Sequence, residues 1–303
     1  MKKLCLILTV ALQALNGAAY TQTNGENEAR AVMWKKVDIA SRDLYLGPGG
    51  DEMVPDISRV EFVEEKKGGS SLKYEIIDAN GREWVAKIDK ESQPETAAVR
   101  LLWGLGYLTE INYLVPEITI PGKGTFKNVR LEARPKDIDR GDRWEWDENP
   151  FVGTKELAGL KIMMVFFNNW DVKTGNNIIL NKDGTAHYAI SDLGATFGQL
   201  GGNDLPIIWR FGRSINEPED YEKTELVEET DGNKIELAYK GRKSGIFDEA
   251  TKGEARWLVG LLRQLSKQQI RDAFRAANYT DDEIETYVGA VIARIDELDK
   301  ASR

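Results

Sequence analysis

Two polar motifs joined by a hairpin signal limit the fold of this chain more than any other feature. The first is Asn169-Trp-Asp171-Val-Lys173-Thr-Gly-Asn176-Asn177, and the second is Ser191-Asp192-Leu193-Gly194. Between them lie two short runs of strand character, 176–180 and 187–190, separated by Asn181-Lys-Asp-Gly184. Such a separator between short strands predicts a β-hairpin. A hairpin returns the chain to where it began, so Asp192 comes back beside Asn176. Asp-x-Lys-x-x-Asn puts a carboxylate, an ammonium and an amide on one turn. Phosphoryl transfer asks for those groups: a carboxylate to orient the attacking hydroxyl, a cation near the moving phosphoryl group, and oxygen ligands for Mg2+.

The remaining sequence sorts into two unequal parts. Residues 60–64, 72–78 and 83–88 predict an antiparallel meander. Its corners are Lys66-Lys-Gly-Gly-Ser-Ser71 and Asp78-Ala-Asn-Gly81, the second a strong turn because Asn-Gly tolerates positive φ. Pro94 opens a helix at the position proline favours, with Ala98, Leu101 and Leu102 on one face. Two more strands follow at 115–120 and 129–133, then a charged, Trp-rich stretch over 135–150 that reads as a loop or linker. Residues 154–168 carry a helical stripe of Leu157, Leu160, Met164 and Phe167. Residues 226–239 predict a hairpin around Asp231-Gly232. Residues 254–265, 267–277 and 281–298 predict amphipathic helices, with Ser266 and Thr280 as N-caps. The expected fold class is α+β with two lobes: an N-terminal arm over 20–58, a β-rich N-lobe with one main helix over 59–134, a linker over 135–153, and a mainly helical C-lobe over 154–303. A cleft between lobes is where ligands tend to sit.

In these residues the chain resembles the protein-kinase-like superfamily, whose catalytic loop reads His-Arg-Asp-x-Lys-x-x-Asn and whose metal motif reads Asp-Phe-Gly. Asn169-Trp170 stands in place of His-Arg, and Leu193 in place of Phe. Those departures resemble the atypical branches: the HipA-like bacterial serine kinases, the phosphatidylinositol kinases and the secretory-pathway kinases. Trp84-Val-Ala-Lys87-Ile88 is similar to the family's Val-Ala-x-Lys strand, and the resemblance spans residues 59–198. It implies a two-lobed protein-kinase-like fold that binds ATP with Mg2+ or Mn2+. Asp171 would then be the catalytic base and Lys173 the γ-phosphate contact, with Asn176 and Asp192 as the metal ligands. Lys87 would grip the α- and β-phosphates and pair with Glu95 on the next helix, Glu91 being the rival. Gly68, Gly69, Ser70 and Ser71 sit where the phosphate-covering turn belongs, and backbone N–H groups there suit phosphate oxygens. The implied activity is ATP- and Mg2+-dependent transfer to a hydroxyl of a protein or small-molecule acceptor. A pseudokinase scaffold without turnover and a nucleotidyl transferase are the alternatives on the same fold.

Composition narrows the setting. Lys2 and Lys3, an apolar run over 4–15 and Gly17-Ala18-Ala19 have the layout of a signal peptide cut after Ala19. The expected location is therefore exported, periplasmic or extracellular. The run falls short of the ~20 residues a membrane helix needs, and no later stretch is apolar enough, so no membrane span is expected in the mature chain. Cys5, the only cysteine, lies in that run, which leaves the mature chain no disulfide, thiol nucleophile or Cys-based metal site. The 41 Lys and Arg against 50 Asp and Glu give a net charge of −9, which argues against nucleic-acid partners. His187, the sole histidine, reads as structural, and Ser191 and Ser214 have no base beside them for Ser-His-Asp hydrolysis. Trp144 and Trp146 suit either a substrate platform or lobe packing. Residues 217–229 read as an acidic solvated surface, and 195–215 should shape the acceptor site.

Overall fold

The computed structural model describes residues 30–68, 71–201 and 212–303. The expected signal peptide lies outside them. In chain order the elements are β1 (Arg30–Val32), β2 (Glu61–Glu65), β3 (Leu72–Ile77), β4 (Glu83–Ile88), α1 (Ser92–Gly104), β5 (Asn112–Ile120), β6 (Gly124–Ala133), β7 (Asp139–Arg140), α2 (Lys155–Phe166), β8 (Asn177–Lys182) and β9 (Thr185–Ile190). Then come α3 (Pro218–Glu222), β10 (Val227–Asp231), β11 (Lys234–Leu237), α4 (Ser244–Phe247), β12 (Glu249–Thr251), α5 (Lys252–Leu262), α6 (Lys267–Arg275) and α7 (Asp281–Ala301).

The Asp78-Ala-Asn-Gly81 corner shows how local chemistry fixes the first sheet. Asp78 Oδ1 accepts from the backbone N–H groups of Asn80 and Arg82, both at 2.9 Å. Its Oδ2 accepts from Trp84 Nε1 at 3.0 Å, and Gly81 takes a φ of 77°. One carboxylate thus closes the turn and holds a buried tryptophan. The resulting antiparallel sheet runs β2-β3-β4-β6-β5. On one face Tyr74, Ile76, Trp84, Ala86, Val129 and Leu131 bury together, with Met53, Ile57 and Phe62 packed against them. The segment expected as a polar arm therefore covers this face with part of its length. It also holds three single-turn 3-10 helices, and β1, which pairs parallel with β9.

The sequence marks one apolar face on α1, but the structure buries nearly the whole helix, Ser92, Thr96 and Arg100 included. It packs on β5 and β6, on α6, and on the turn Gly47–Gly49. Arg100 has polar neutral partners, Asn112 Oδ1 at 3.1 Å and Asn112 O at 2.7 Å, and burial lowers its pKa to about 10. Gly47 is needed there: its φ is 71°, and a Cβ would lie 2.4 Å from the Arg100 guanidinium.

The larger part is mainly helical. Thr154 caps α2, and reciprocal Thr251/Glu254, Ser266/Gln269 and Thr280/Glu283 capping boxes open α5, α6 and α7. Residues of α1, α2, α5, α6 and α7 share one continuous apolar core. Two smaller sheets flank it, β1-β9-β8-β7 and β10-β11-β12. Trp144 and Trp146 are buried, donating to Ala189 O and Val172 O, so they pack the fold and present no platform. The acidic stretch over 217–229 is solvated only in part: α3 buries Tyr221, whose hydroxyl donates to Phe166 O at 2.7 Å. Among the described residues no helix is long and apolar enough to cross a membrane.

Candidate active site

The site begins with sheet register. Lys87 on β4 lies directly opposite Arg130 on β6, and paired residues of an antiparallel sheet share a face. Both cations thus point toward the start of α1. There Glu95 Oε2 meets Lys87 Nζ at 3.2 Å and Arg130 Nε at 3.1 Å. Lys87 is 3% exposed and Glu95 1%. Glu91 also reaches Lys87 Nζ, at 2.9 Å, so the two rival carboxylates both pair with it. Burial works against the Lys87 ammonium, but Glu95, Asp192 and Glu91 outweigh it and hold the pKa above its ordinary value. Burial raises the Glu95 carboxyl, with Arg130 and Lys87 pulling the other way. We take the pair as ionic, the lysine being the firmly charged partner.

The charges continue behind Glu95. Arg130 Nη1 pairs with Glu132 Oε2 at 2.9 Å, Glu132 with Arg134, and Arg140 with Glu110. Burial opposes the Glu132 carboxylate, yet Arg130, Arg134 and Arg140 hold it below the usual range. Glu110 goes the other way, pushed up to about 7 chiefly by burial and then by Glu132.

The second motif meets this group from the other side. Asp192 Oδ1 lies 3.8 Å from Lys87 Nζ and accepts from Gly194 N at 3.1 Å. Gly194 is dictated by close approach: a Cβ would fall 2.5 Å from Glu91 Cβ. The β8–β9 hairpin does what the sequence predicts, bringing Ser191 N to 2.7 Å and Asp192 N to 3.3 Å from Asn176 O.

Asn176 ends a 3-10 turn over Thr174–Asn176. Its Nδ2 donates to Asp171 O at 2.6 Å, which leaves the amide oxygen as the atom free for a cation. Asp171 itself is held by Asn169, whose Oδ1 accepts from Asp171 N at 3.1 Å. Asn169 O in turn accepts from the buried Tyr239 hydroxyl at 3.0 Å. This asparagine positions the loop through its side-chain oxygen on one side and its backbone carbonyl on the other. Asp171 Oδ2 receives Lys173 Nζ at 2.6 Å, and Asp171 Oδ1 lies 2.9 Å from Arg242 Nε.

Six of the ten residues singled out from sequence therefore form one chain of contacts, Glu95–Lys87–Asp192–Asn176–Asp171–Lys173. Gly69 and Ser70 lie outside the described residues. Gly68 takes a φ of 114° at the β2–β3 turn with open space around it, and neither it nor Ser71 is seen to touch the six. Sequence reasoning missed Arg130 and Arg242. The cross-strand register of Lys87 was a signal for the first. Nothing local marks the second, which arrives from a separate stretch of chain.

The donor set fits a divalent cation bound together with phosphate oxygens. Among the described residues no three His, Cys, Asp or Glu gather as a cage. Mg2+ commonly takes one or two protein carboxylates and completes its shell with phosphate and water. Asp192, 38% exposed, and the turned amide of Asn176 offer that partial set.

No protein-family model matches the chain, and no curated protein matches it in sequence. Solved structures do. The crystal structure of a Helicobacter pylori proinflammatory kinase, CtkA, superposes with a TM-score of 0.50 at 12% identity, covering 82% of this chain and 98% of that one. The fold is protein-kinase-like, of an atypical kind. A Golgi casein kinase structure overlaps 84% of this chain and 77% of its own at 11% identity, but its TM-score of 0.33 carries no argument. In the kinase-like fold the two motifs and β4 meet where the N-lobe sheet and the helical part come together.

Proposed function

We propose that the protein is an ATP- and Mg2+-dependent phosphotransferase acting on a hydroxyl of a protein or small molecule. The observation that carries this reading is the contact chain from Glu95 through Lys87, Asp192 and Asn176 to Asp171. Its members sit on β4, on α1, at the end of β9 and in the loop before β8. Chance rarely assembles those chemical groups from four elements.

The roles follow from position. Lys87, fixed by two carboxylates, would hold the α- and β-phosphates. Asp192 and Asn176 would bind Mg2+ on the phosphate side, and the metal would supply charge neutralisation at the phosphates. Asp171 would accept the acceptor hydroxyl's proton as its oxygen bonds to the γ-phosphorus and the bond to the β-phosphate breaks to release ADP, and Lys173 beside it would offset charge on the moving group. Such a reaction is dominated by positioning and electrostatic stabilisation, which a rigid cluster supports. Export and cleavage after Ala19 belong to the same proposal, tested by fractionating cells and sequencing the mature N-terminus.

Labelled nucleotide decides the activity. With a library of hydroxyl-bearing peptides and Mg2+, label on the γ-phosphate should reach an acceptor and label on the α-phosphate should not. Transfer of the α-label alone would make the protein a nucleotidyl transferase. Bound nucleotide with neither label moving would make it a scaffold.

A further inference from the structure

A cavity of about 460 Å3 lies apart from the candidate active site. Among the described residues, none of the six in the contact chain lines it. Its walls come from the end of α1, from the stretch entering β5, from the stretch leaving β6, and from β7, β8 and β9. Trp103, Leu108, Ile111, Pro135 and Ile138 are only half-buried there, and Leu180 completes the apolar wall. Small-molecule sites enclose about 300–1,000 Å3 and are mostly apolar with a few placed polar groups. This cavity has both properties.

The charged side chains around it are matched. At the rim Lys136 pairs with Glu83 at 3.0 Å and Lys182 with Asp137 at 2.6 Å. Arg134 pairs with Glu132, and Arg140 with Glu110. Burial, then Lys35 and Lys182, lower the pKa of His187, so it is mainly neutral at pH 7. Two atoms of the wall are left over. Glu110 is 5% exposed; its Oε1 receives Arg140, and its buried Oε2 has no hydrogen-bond partner. The hydroxyl of Thr109, the preceding residue, is buried and has none either. Burial and then Glu132 push the Glu110 carboxyl up to about 7, with Arg140 and Arg134 pulling the other way. A buried acceptor without a partner carries its full desolvation cost, so the gap calls for a donor.

We propose that this cavity is a second ligand site, separate from the nucleotide site, which takes a small amine: a protonated primary amine on an aromatic or branched apolar body. The ammonium donates to Glu110 Oε2 and Thr109 Oγ1, and the body packs on Trp103, Leu108 and Ile138. A small turn of the Glu110 carboxyl, still held by Arg140, brings Oε2 to the ligand. An anionic ligand finds no such opening, since each cation of the wall already holds a carboxylate. An uncharged ligand leaves Glu110 without a second counter-charge. A protein segment would have to part the Lys136–Glu83 and Lys182–Asp137 pairs at the rim, which a small molecule need not do. The inference stands on the cavity alone and holds whether or not the protein transfers phosphate.

The test is calorimetric titration of the full chain with 2-phenylethylamine, 2-phenylethanol and 3-phenylpropanoate. The amine should bind about tenfold or more tighter than either comparator, the worth of a hydrogen bond to a charged group. Its ammonium, like that of lysine, stays protonated well above neutrality. Its affinity should therefore climb from about pH 6 to about pH 8 as Glu110 ionises. Glu110→Gln should weaken the amine about tenfold and flatten that climb, whereas His187→Gln should keep the climb. Ile138→Trp, which fills the apolar end and leaves Glu110 in place, should abolish amine binding in a chain whose circular dichroism is unchanged. ATP with Mg2+ at saturation should leave the amine affinity as it was. Equal binding of the three probes, or binding of none, overturns the proposal. So does an amine affinity that survives both Glu110→Gln and Ile138→Trp. Displacement of the amine by ATP would put it in the nucleotide cleft and overturn the proposal too.

Discussion

At Lys87 four acids crowd one ammonium: Glu91, Glu95, Asp192 and, at 3.9 Å, Asp89. Removing one partner of a buried pair leaves an uncompensated charge, at a cost of about 3–5 kcal/mol. Lys87→Met should therefore destabilise the protein by about that much in urea unfolding. Adding Glu95→Gln should recover part of the loss, and simple additivity would contradict a coupled pair. Glu110 makes a pH prediction. Its folded pKa of about 7 stands above its ordinary 4.5, so between those values the folded state keeps a proton that the unfolded state has lost. Stability must then fall as pH rises through that window. Wild type minus Glu110→Gln should decline from about pH 4.5 to about pH 7 in urea unfolding, and a flat difference would refute the assignment. Glu132, held below its ordinary range, acts in the opposite sense: its stabilisation is present above that range and is lost on acidification.

Among the elements, α1 carries Glu95 and is anchored on several sides. Gln93 Nε2 donates to Ala277 O at 3.1 Å and Asn278 O at 3.2 Å beyond α6, and Leu101, Leu102 and Leu105 enter the large core. Leu102→Ala should cost about 2–5 kcal/mol and weaken nucleotide binding by loosening Glu95 against Lys87. Unchanged nucleotide affinity in a folded variant would show that the helix does not set the site. The strands were legible where turn chemistry is strong: Asp78-Ala-Asn-Gly81 and Asn181-Lys-Asp-Gly184 both gave hairpins, and Ser266 and Thr280 gave true caps. The short pieces β1, β7 and β12 were not legible. Each has two or three residues, too few for a periodic pattern, and is ordered by a partner strand supplied elsewhere. The burial of α1 was half legible, because its second and third faces are covered by α6 and the arm, which the local sequence does not name.

For the whole molecule, the two motifs could be read as chemistry because their groups are unusual together, and their meeting could be inferred from one hairpin. Arg242 was beyond reach, since it joins Asp171 only through the packing of residues 239–243 against the loop. The joined cores of α1 and the helical part imply that occupying the site stabilises the molecule as a unit, and a ligand that binds only the folded state must raise its stability. The most direct measurement is thermal unfolding of wild type and Asp192→Ala across a titration of ATP with and without Mg2+. The account predicts a midpoint that climbs with ATP in wild type, with a Mg2+-dependent increment that Asp192→Ala abolishes. A wild-type midpoint indifferent to nucleotide, or the same Mg2+ increment in the variant, would contradict it.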